Sequence, residues 1–403
     1  MFDSGKAIRV DGALRGSDGQ ADGDALPRAR RVDGLPDRSE LDCVTRLVVE
    51  GSAASDLVLR TAAASLLTVA AAPFHLSSGA IRGDRQALRF YADLAAGADA
   101  SVTFPRPTAR VAVTSERALS SPFRPHDGRI ELLHFRSPFV TLHPGMRDRY
   151  AAFTRNATAW AQHWRHDDGP RPTLCVIHGF MGSPYWFNSA FFALPWFYGH
   201  GYDVLLYTLP FHGRRKGVLS PFSGHEYFTH GLAHINEAMA HAVHDFRLFV
   251  DHLERRGVTK IGVTGLSLGG YTTALLAAVE DRLHLAIPNA PVTEMAGLIR
   301  DWFPAGQLMA LALRRNGIAD SEITSALAVH SPLTYQPVLA KDRLMIIAGL
   351  GDRLAPPDQS QKLWEHWDRC NLHWFPGNHA LHVRRGRYLK QIGRFMQATH
   401  FND

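Results

Sequence analysis

Residues 261–270 read IGVTGLSLGG, and this stretch decides the fold. A short apolar run precedes Gly265, and a helical segment starts near Leu268. Gly265 and Gly269 stand two positions either side of Ser267, which gives the pattern G-x-S-x-G. Between a strand and a helix, this pattern predicts a nucleophile elbow, a strained turn that holds the serine hydroxyl clear of the sheet. The alternative interpretation is a Gly-rich turn with no catalytic role.

The sequence around this turn alternates between apolar runs and amphipathic segments. Continuous apolar strands that alternate with helices indicate a parallel sheet covered on both faces. The predicted fold class is therefore α/β, with a mostly parallel central sheet and helices on both sides. The predicted strands are Arg110–Thr114, Ile130–Phe135, Thr173–Ile177, Asp203–Leu209, Ile261–Thr264, Leu283–Pro288, Arg343–Ala348 and Leu372–Phe375, and the clearest predicted helices are Thr229–Arg256, Leu268–Glu280, Asp358–Trp367 and Val383–Ala398.

A nucleophilic serine needs a base, and the base needs a carboxylate that orients it. Asp352 follows the predicted strand that ends in LMIIAG, and a helix follows it. His379 lies in the loop after the next strand, within PGNH. Since both positions lie at carboxyl ends of strands, we predict Asp352 as the acid and His379 as the base. His382, three residues further on, is the alternative base.

The segment HGFMG, which follows the third predicted strand, is the candidate oxyanion loop. One oxyanion donor in such an elbow is the backbone N–H of the residue after the nucleophile, here Leu268. Gly179 and Gly182 let the loop turn tightly, so the second donor is expected to be the N–H of Phe180 or, alternatively, Met181. His178 is interpreted as a residue that structures this loop at the edge of the substrate pocket.

These motifs together resemble the α/β-hydrolase superfamily over residues 129–403. HGFMG, GLSLG, GDRLAPP and GNH occur in the order typical of that superfamily. A finer resemblance is to a little-studied subfamily of α/β-hydrolase-domain proteins, which carries H-F-x-S-P (residues 134–138 here) and P-[FY]-x-G-x-R-K (residues 210–216 here). The oxyanion segment HGFMGSP departs from the pattern of that subfamily, and this affects the second oxyanion donor most.

The resemblance implies a cap and an apolar pocket. The helical insertion at 292–333, after the sixth predicted strand, resembles the cap of this superfamily; core packing is the alternative. Aromatic residues crowd the segment after the oxyanion loop and suggest an acyl pocket. The predicted pocket residues are His178, Tyr185, Trp186 and His212.

The N-terminal part has a different composition. Residues 1–40 are rich in Gly, Asp and Arg, so we expect a flexible tail. Residues 41–128 are predicted to form an extension that packs on the core. The longest apolar run, Ala62–Phe74, is shorter than the roughly 20 residues that span a bilayer, so no transmembrane segment is predicted. Peripheral membrane contact through Asp56–Phe74 is kept as an alternative to ordinary packing.

Composition excludes several classes of protein. The 44 basic residues outnumber the 38 acidic ones, but they are scattered, which argues against nucleic-acid binding. The three cysteines are far apart in the sequence and, with no apolar leader in the first residues, favour a cytoplasmic protein. No phosphate-binding loop pattern is present, and no cofactor is expected. Four histidines (His230, His234, His241 and His252) share one side of the predicted helix Thr229–Arg256. A metal site is one interpretation and a solvent-facing or loop-covered flank is the other; no metal is predicted.

The sequence therefore predicts a serine hydrolase that cleaves a carboxylic ester or thioester, in the manner of an esterase or lipase, through Ser267, Asp352 and His379. The substrate is a small molecule or a lipid. A peptidase, an acyltransferase in which an alcohol replaces water, and a non-catalytic binding protein with the same fold are the competing hypotheses. The oligomeric state is not predicted.

Overall fold

The computed structural model describes residues 34–37, 41–118, 121, 123–182, 184–383 and 385–402. The flexible tail predicted for residues 1–40 lies almost entirely outside them. Residues 34–403 form one compact unit.

A nine-stranded sheet runs through the described residues in the order β1-β2-β3-β5-β4-β6-β7-β8-β9. The first three strands and β5 pair antiparallel, whereas β5, β4, β6, β7, β8 and β9 run parallel. The predicted fold class is confirmed: a mostly parallel sheet with helices on both faces. The strands are β1 Thr114–Arg117, β2 Gly128–Arg136, β3 Thr158–His166, β4 Thr173–Ile177, β5 Asp203–Thr208, β6 Ile261–Leu266, β7 Leu283–Asn289, β8 Met345–Gly349 and β9 Asn371–Phe375.

Helices cover both faces because successive strand side chains point to opposite sides. Cys175 and Ile177 pack with α8 and α9 in one core, and Leu174 and Val176 pack with α6 and α14 in the other. The helices are α1 Cys43–His75, α2 Ser78–Gly97, α3 Ala100–Thr103, α4 Arg147–Ala151, α5 Tyr185–Phe191, α6 Leu194–Gly199, α7 His225–Thr229, α8 Leu232–Arg255, α9 Leu268–Val279, α10 Met295–Asp301, α11 Ala305–Arg315, α12 Asp320–Leu327, α13 Pro357–His366 and α14 Arg385–Ala398.

The strand count differs from the sequence prediction in one place. β3 was missed, because its sequence TAWAQHWRH mixes small, polar and aromatic residues rather than forming an apolar run. The helices of segment 292–333 therefore follow the seventh strand in chain order, not the sixth. β1 also joins the sheet, so the sheet begins before the predicted domain boundary at residue 129.

The N-terminal helix α1 is longer than predicted. It has 33 residues and extends N-terminally beyond the apolar segment Asp56–Phe74, with Pro73 tolerated in its last turn. By length and composition it is long and apolar enough to cross a membrane. It is not a core helix, because only 17% of its most apolar window is buried. The length argument against a membrane-spanning segment was therefore wrong. On its inner side Val49, Ala53 and Ala64 pack against the body of the protein.

Candidate active site

The turn between β6 and α9 is a strained elbow. Ser267 has φ 57° and ψ −114°, a conformation that non-glycine residues rarely adopt. A Cβ at Gly265 would lie 2.4 Å from the carbonyl oxygen of Gly269, and a Cβ at Gly269 would lie 2.1 Å from that of Ile177. Both positions therefore need glycine, since only glycine lets strand and helix approach this closely. The N–H of Ser267 donates to the Asn289 carbonyl at 3.0 Å and fixes the turn against β7.

Asp352 and His379 are paired at the carboxyl ends of β8 and β9. The His379 Nδ1 and the Asp352 Oδ2 are 2.7 Å apart, and both residues are buried. With Nδ1–H donating to the carboxylate, Nε2 is left to accept a proton, as a general base requires. The other carboxylate oxygen of Asp352 accepts the N–H groups of Leu354 and Ala355 and so fixes the acid.

The charges around His379 distinguish it from its alternative. Burial alone would lower the pKa of His379, but the carboxylates of Asp352 and Asp56 raise it, so the net pKa lies above the usual histidine value. Burial lowers the pKa of His382 to about 3. The His382 Nδ1 contacts the Tyr388 hydroxyl at 3.1 Å, and its ring packs against Phe375. His379 is therefore the histidine that is set up as a base.

Ser267 lies on the same edge of the sheet, because β6, β8 and β9 run parallel. Among the hydrogen bonds recorded for the described residues, none comes from the Ser267 hydroxyl. Catalytic hydrogen bonds are often loose without substrate and tighten in the complex.

Asp56, on α1, links the acid loop to the base loop, and sequence analysis gave it no such role. Its Oδ2 accepts the N–H of Arg353 and the N–H of His379, each at 3.0 Å. The carboxylate is fully buried, and burial raises its pKa, against these two hydrogen bonds that lower it. The Asp56 carboxylate thus fixes the position of Arg353, the residue after Asp352, relative to His379.

A second contact from α1 fixes the same loop. The Asn378 amide nitrogen donates to the Ser52 carbonyl and to the Ser55 hydroxyl, each at 2.7 Å. The Asn378 amide oxygen accepts the N–H groups of Ala380 and Leu381. The loop that carries His379 therefore depends on α1 for its shape. In the sequence, the only signal is a lone Asp in a predominantly apolar helix.

The oxyanion loop lies directly over the elbow. A Cβ at Gly179 would lie 3.4 Å from that of Ser267, and Gly182 donates its N–H to the Gly179 carbonyl at 2.9 Å. Within the described part of the chain, the N–H groups of Leu268, Phe180 and Met181 have no recorded acceptor. These are the three donors that the sequence analysis named.

A cavity of about 910 Å³, counting its open mouth, contains Ser267. Its lining comes from α1, the oxyanion loop, α7, α8, the start of α9 and the segment 292–333. None of the described residues that line it is charged. The lining residues are Leu67, Thr68, Ala71, Phe180, Phe228, Ile235, Ser267, Leu268, Val292, Met295, Leu298, Ile299, Trp302, Ala305, Gly306, Leu308 and Met309.

The four predicted pocket residues do not line this cavity, and that prediction was wrong. His178 holds the oxyanion loop: its Nδ1 bonds the Gly179 carbonyl and its Nε2 accepts the Leu209 N–H. His212 is buried behind it, with its Nδ1 on the Pro210 carbonyl. Tyr185 bonds Thr208 and packs in the core on the α6–α14 face, and Trp186 is exposed. The aromatic cluster thus covers the sheet rather than the nucleophile.

The two motifs of the finer resemblance meet in a buried polar network. Arg215 donates to Asp245 at 2.8 Å and to the Asn156 carbonyl at 2.9 Å. His241 Nε2 lies 2.9 Å from Asp245 and 3.0 Å from the Ser137 hydroxyl. Because serine and aspartate meet the same ring nitrogen, this cluster cannot relay a proton as a triad does. The network fixes the loop after β5, which supports the oxyanion loop from behind.

The histidines of α8 lie on a covered flank of the helix, which is one of the alternatives that the sequence left open. His234, His241 and His252 are buried, and burial lowers the pKa of each. No group of three metal-ligating side chains is found among the described residues. The helix also begins at Leu232 rather than Thr229, because Gly231 (φ 100°) interrupts it.

The fold matches solved structures of known enzymes. Acetyl xylan esterase 1 from Thermoanaerobacterium sp. JW/SL YS485 superposes with a TM-score of 0.55 over 78% of this chain and 94% of that one, at 15% identity. The chain therefore has the α/β-hydrolase fold. The acetyl xylan esterase of Paenibacillus sp. R4 gives a TM-score of 0.54 over 77% and 93% of the two chains, also at 15% identity.

Sequence comparison places this α/β-hydrolase-fold chain near two further groups. The prolyl oligopeptidase family matches residues 224–390, less than half of the chain, and this stretch contains Ser267, Asp352 and His379. Two Mycobacterium tuberculosis proteins, from strains H37Rv and CDC 1551 / Oshkosh and both described as uncharacterized, are 31% identical over 280 residues. That match covers 66% of this chain and 63% of those proteins. Together, the family match and the fold support an enzyme of the hydrolase class.

Proposed function

We propose that this α/β-hydrolase-fold protein cleaves a carboxylic ester or thioester whose acyl group is apolar. The observation that carries the proposal is the cavity around Ser267, which has no charged residue in its described lining. An uncharged acyl chain can be buried there without leaving a polar group unsatisfied. A peptide would bring amide groups that need partners, and among the described lining residues only Thr68, Ser267 and Trp302 carry a polar side-chain group, of which the Trp302 indole N–H already donates to the Leu354 carbonyl.

In the proposed reaction His379 Nε2 takes the proton of the Ser267 hydroxyl as its oxygen attacks the substrate carbonyl. The N–H groups of Leu268 and of Phe180 or Met181 hold the oxyanion that forms. His379 then gives the proton to the leaving alcohol or thiol. A water molecule, deprotonated by the same histidine, releases the acid from the acyl-enzyme. Asp352 keeps the imidazole in the required tautomer and stabilises its charged form.

The segment 292–333 is proposed to be the cap of this site, with α1 as a second wall. Nine residues from Val292 to Met309 line the cavity, which supports a role in enclosing the acyl chain. Met295, Leu298 and Ile299 of α10 lie in this wall, and Leu308 and Met309 of α11 continue it.

The proposal is tested with purified protein, a fluorophosphonate probe and a panel of acyl esters and thioesters of graded chain length. We expect covalent labelling that Ser267→Ala abolishes, and hydrolysis of the esters. Faster cleavage of blocked peptides than of any ester would favour the peptidase that the prolyl oligopeptidase match suggests. Product formed only when a second alcohol is present would favour an acyltransferase, and no labelling at all would favour a binding protein.

A further inference from the structure

One sector of the solvent-facing side of α1 carries no charge from Val44 to Val69. At 100° per residue the exposed positions every three or four residues fall within one 80° sector. We call this sector the outer stripe, and it consists of Val44, Leu47, Gly51, Ala54, Val58, Ala62, Ser65 and Val69, all exposed. The buried residues of α1, such as Val49, Asp56 and Ala64, lie on the opposite side. A surface helix of a soluble protein normally shows the reverse pattern, with polar residues outward.

The charged residues of α1 avoid the outer stripe. Arg46 and Glu50 pair with each other at 3.0 Å, and Arg60 donates to the Arg353 carbonyl. On the helical wheel each of them lies at least 40° outside the stripe. The stripe therefore offers only apolar or small side chains to whatever it meets.

The neighbouring helix extends this apolar surface to the mouth of the Ser267 cavity. α11 packs beside α1, and its Leu308 and Leu311 are exposed. Leu308 is 48% exposed and also lines the cavity, so it stands at the opening. Leu67 and Ala71 of α1 line the same cavity from the inner side of the helix. Exposed apolar surface on α11, the helix beside α1, thus reaches the opening of the substrate cavity.

We propose that the outer stripe of α1, together with Leu308 and Leu311, rests on a lipid surface from which an acyl ester enters the Ser267 cavity. A second protein bound here would block the mouth of the cavity, whereas a lipid layer would bring acyl substrates to that mouth. The helix lies on the surface rather than across it. Asp56 holds the two catalytic loops from the middle of α1, and a spanning helix could not keep these contacts.

Binding is tested first, separately from catalysis. The full-length chain is floated with phosphatidylcholine vesicles, with and without phosphatidylglycerol, at low and high salt. The test variant is the double substitution Val58→Glu/Val69→Glu. Both valines are at least 70% exposed, so folding should be unaffected. The matched control is Val218→Glu/Leu219→Glu, which adds the same charge at two exposed apolar residues in a loop away from α1.

We expect the wild-type chain and the control to bind phosphatidylcholine vesicles in high salt, and the test variant to lose roughly tenfold or more in partitioning. Absence of wild-type binding, or binding that needs anionic lipid and disappears in salt, would overturn the proposal. So would equal binding by the test variant. A wild-type dimer that the test variant converts to monomers would assign the stripe to a second copy, and binding seen only after removal of residues 1–33 would assign it to that segment.

The substrate part of the inference rests on the proposed function and has its own measurement. Vesicle binding by Ser267→Ala should match that of the wild type, so loss of catalysis does not obscure docking. Hydrolysis of an ester embedded in vesicles should fall in the test variant, while that of a short soluble ester stays unchanged. Equal loss with both substrates would overturn the role in substrate delivery, and no hydrolysis by the wild type would instead contradict the proposed function.

Discussion

The elbow around Ser267 is fixed by five consecutive residues, whereas α1 acts on the site through partners about 300 positions away. At the elbow, Gly265 and Gly269 have no side chains, so the strand and the helix can approach closely and the backbone can form the strained turn. On α1, Asp56 bonds the N–H groups of Arg353 and His379 across 297 and 323 residues of sequence. The turn that carries the candidate nucleophile is thus formed locally in the chain, whereas the position of the candidate acid and base depends on distant segments.

The largest expected effect is at the elbow itself. Ser267→Ala should lower kcat by about 10⁴-fold or more, because the members of a triad act as a unit. The glycines that shape the turn are untouched, so thermal unfolding and circular dichroism should match the wild type. Ester turnover measured on the purified variant decides this, and substantial residual activity would point to another nucleophile.

The next effect separates the two histidines after β9. His379→Ala should lower kcat by about 10³-fold, since its imidazole is the one paired with Asp352. His382→Ala should cost at most about tenfold, because His382 only packs among aromatic rings. Both variants are assayed after a folding check. If His382→Ala were the inactive one, the base would have been assigned to the wrong loop position.

The contribution of α1 is expected in the pH profile. Activity should require neutral His379, so it should fall as the pH drops through the pKa of that residue. Asp352 and Asp56 raise this pKa, whereas burial lowers it. His382 also faces the His379 ring. Asp56→Asn removes one negative charge, so the pKa of His379 should fall and the acid limb of kcat should move to lower pH. The loss of rate at the optimum should be about tenfold, from a less firmly held base.

The matched control for Asp56 is Asp84→Asn. Asp84 is also a buried carboxylate of the N-terminal helices, and it accepts the N–H groups of Leu232 and Ala233 at the start of α8. It is expected to affect stability without moving the pH profile. Identical profiles for Asp56→Asn and the wild type would contradict the positioning role of Asp56.

The smallest expected effect concerns α1 as a wall of the pocket. Leu67→Trp should fill part of the cavity and shift the preference towards shorter acyl chains, by roughly tenfold in the ratio of kcat/KM for long and short esters. Leu66→Trp, on the exposed neighbouring residue, should leave this ratio unchanged. The same change with both variants would show that α1 does not shape the acyl site.

The sequence by itself determined the fold class, the elbow and the choice of Asp352 and His379 as candidates. These inferences succeed because glycine spacing, apolar strands and the carboxyl ends of parallel strands are local features with a fixed geometry. β3 was missed because it lacks an apolar run. The sequence left open whether the histidines of α8 face solvent or are covered, because the rings that cover His234 and His241 come from the segment 139–153.

Only the tertiary structure decided which residues surround the nucleophile. Aromatic density placed the pocket at Tyr185 and Trp186, but these residues belong to the core and the outer surface. The cavity is instead bounded by α1 and the segment 292–333. A helix that is apolar on both its buried and its exposed side shows little periodicity, so the pattern could not say which side of α1 faces the site. The role of Asp56 follows from hydrogen bonds between distant segments, and a sequence does not specify such contacts until the chain is folded.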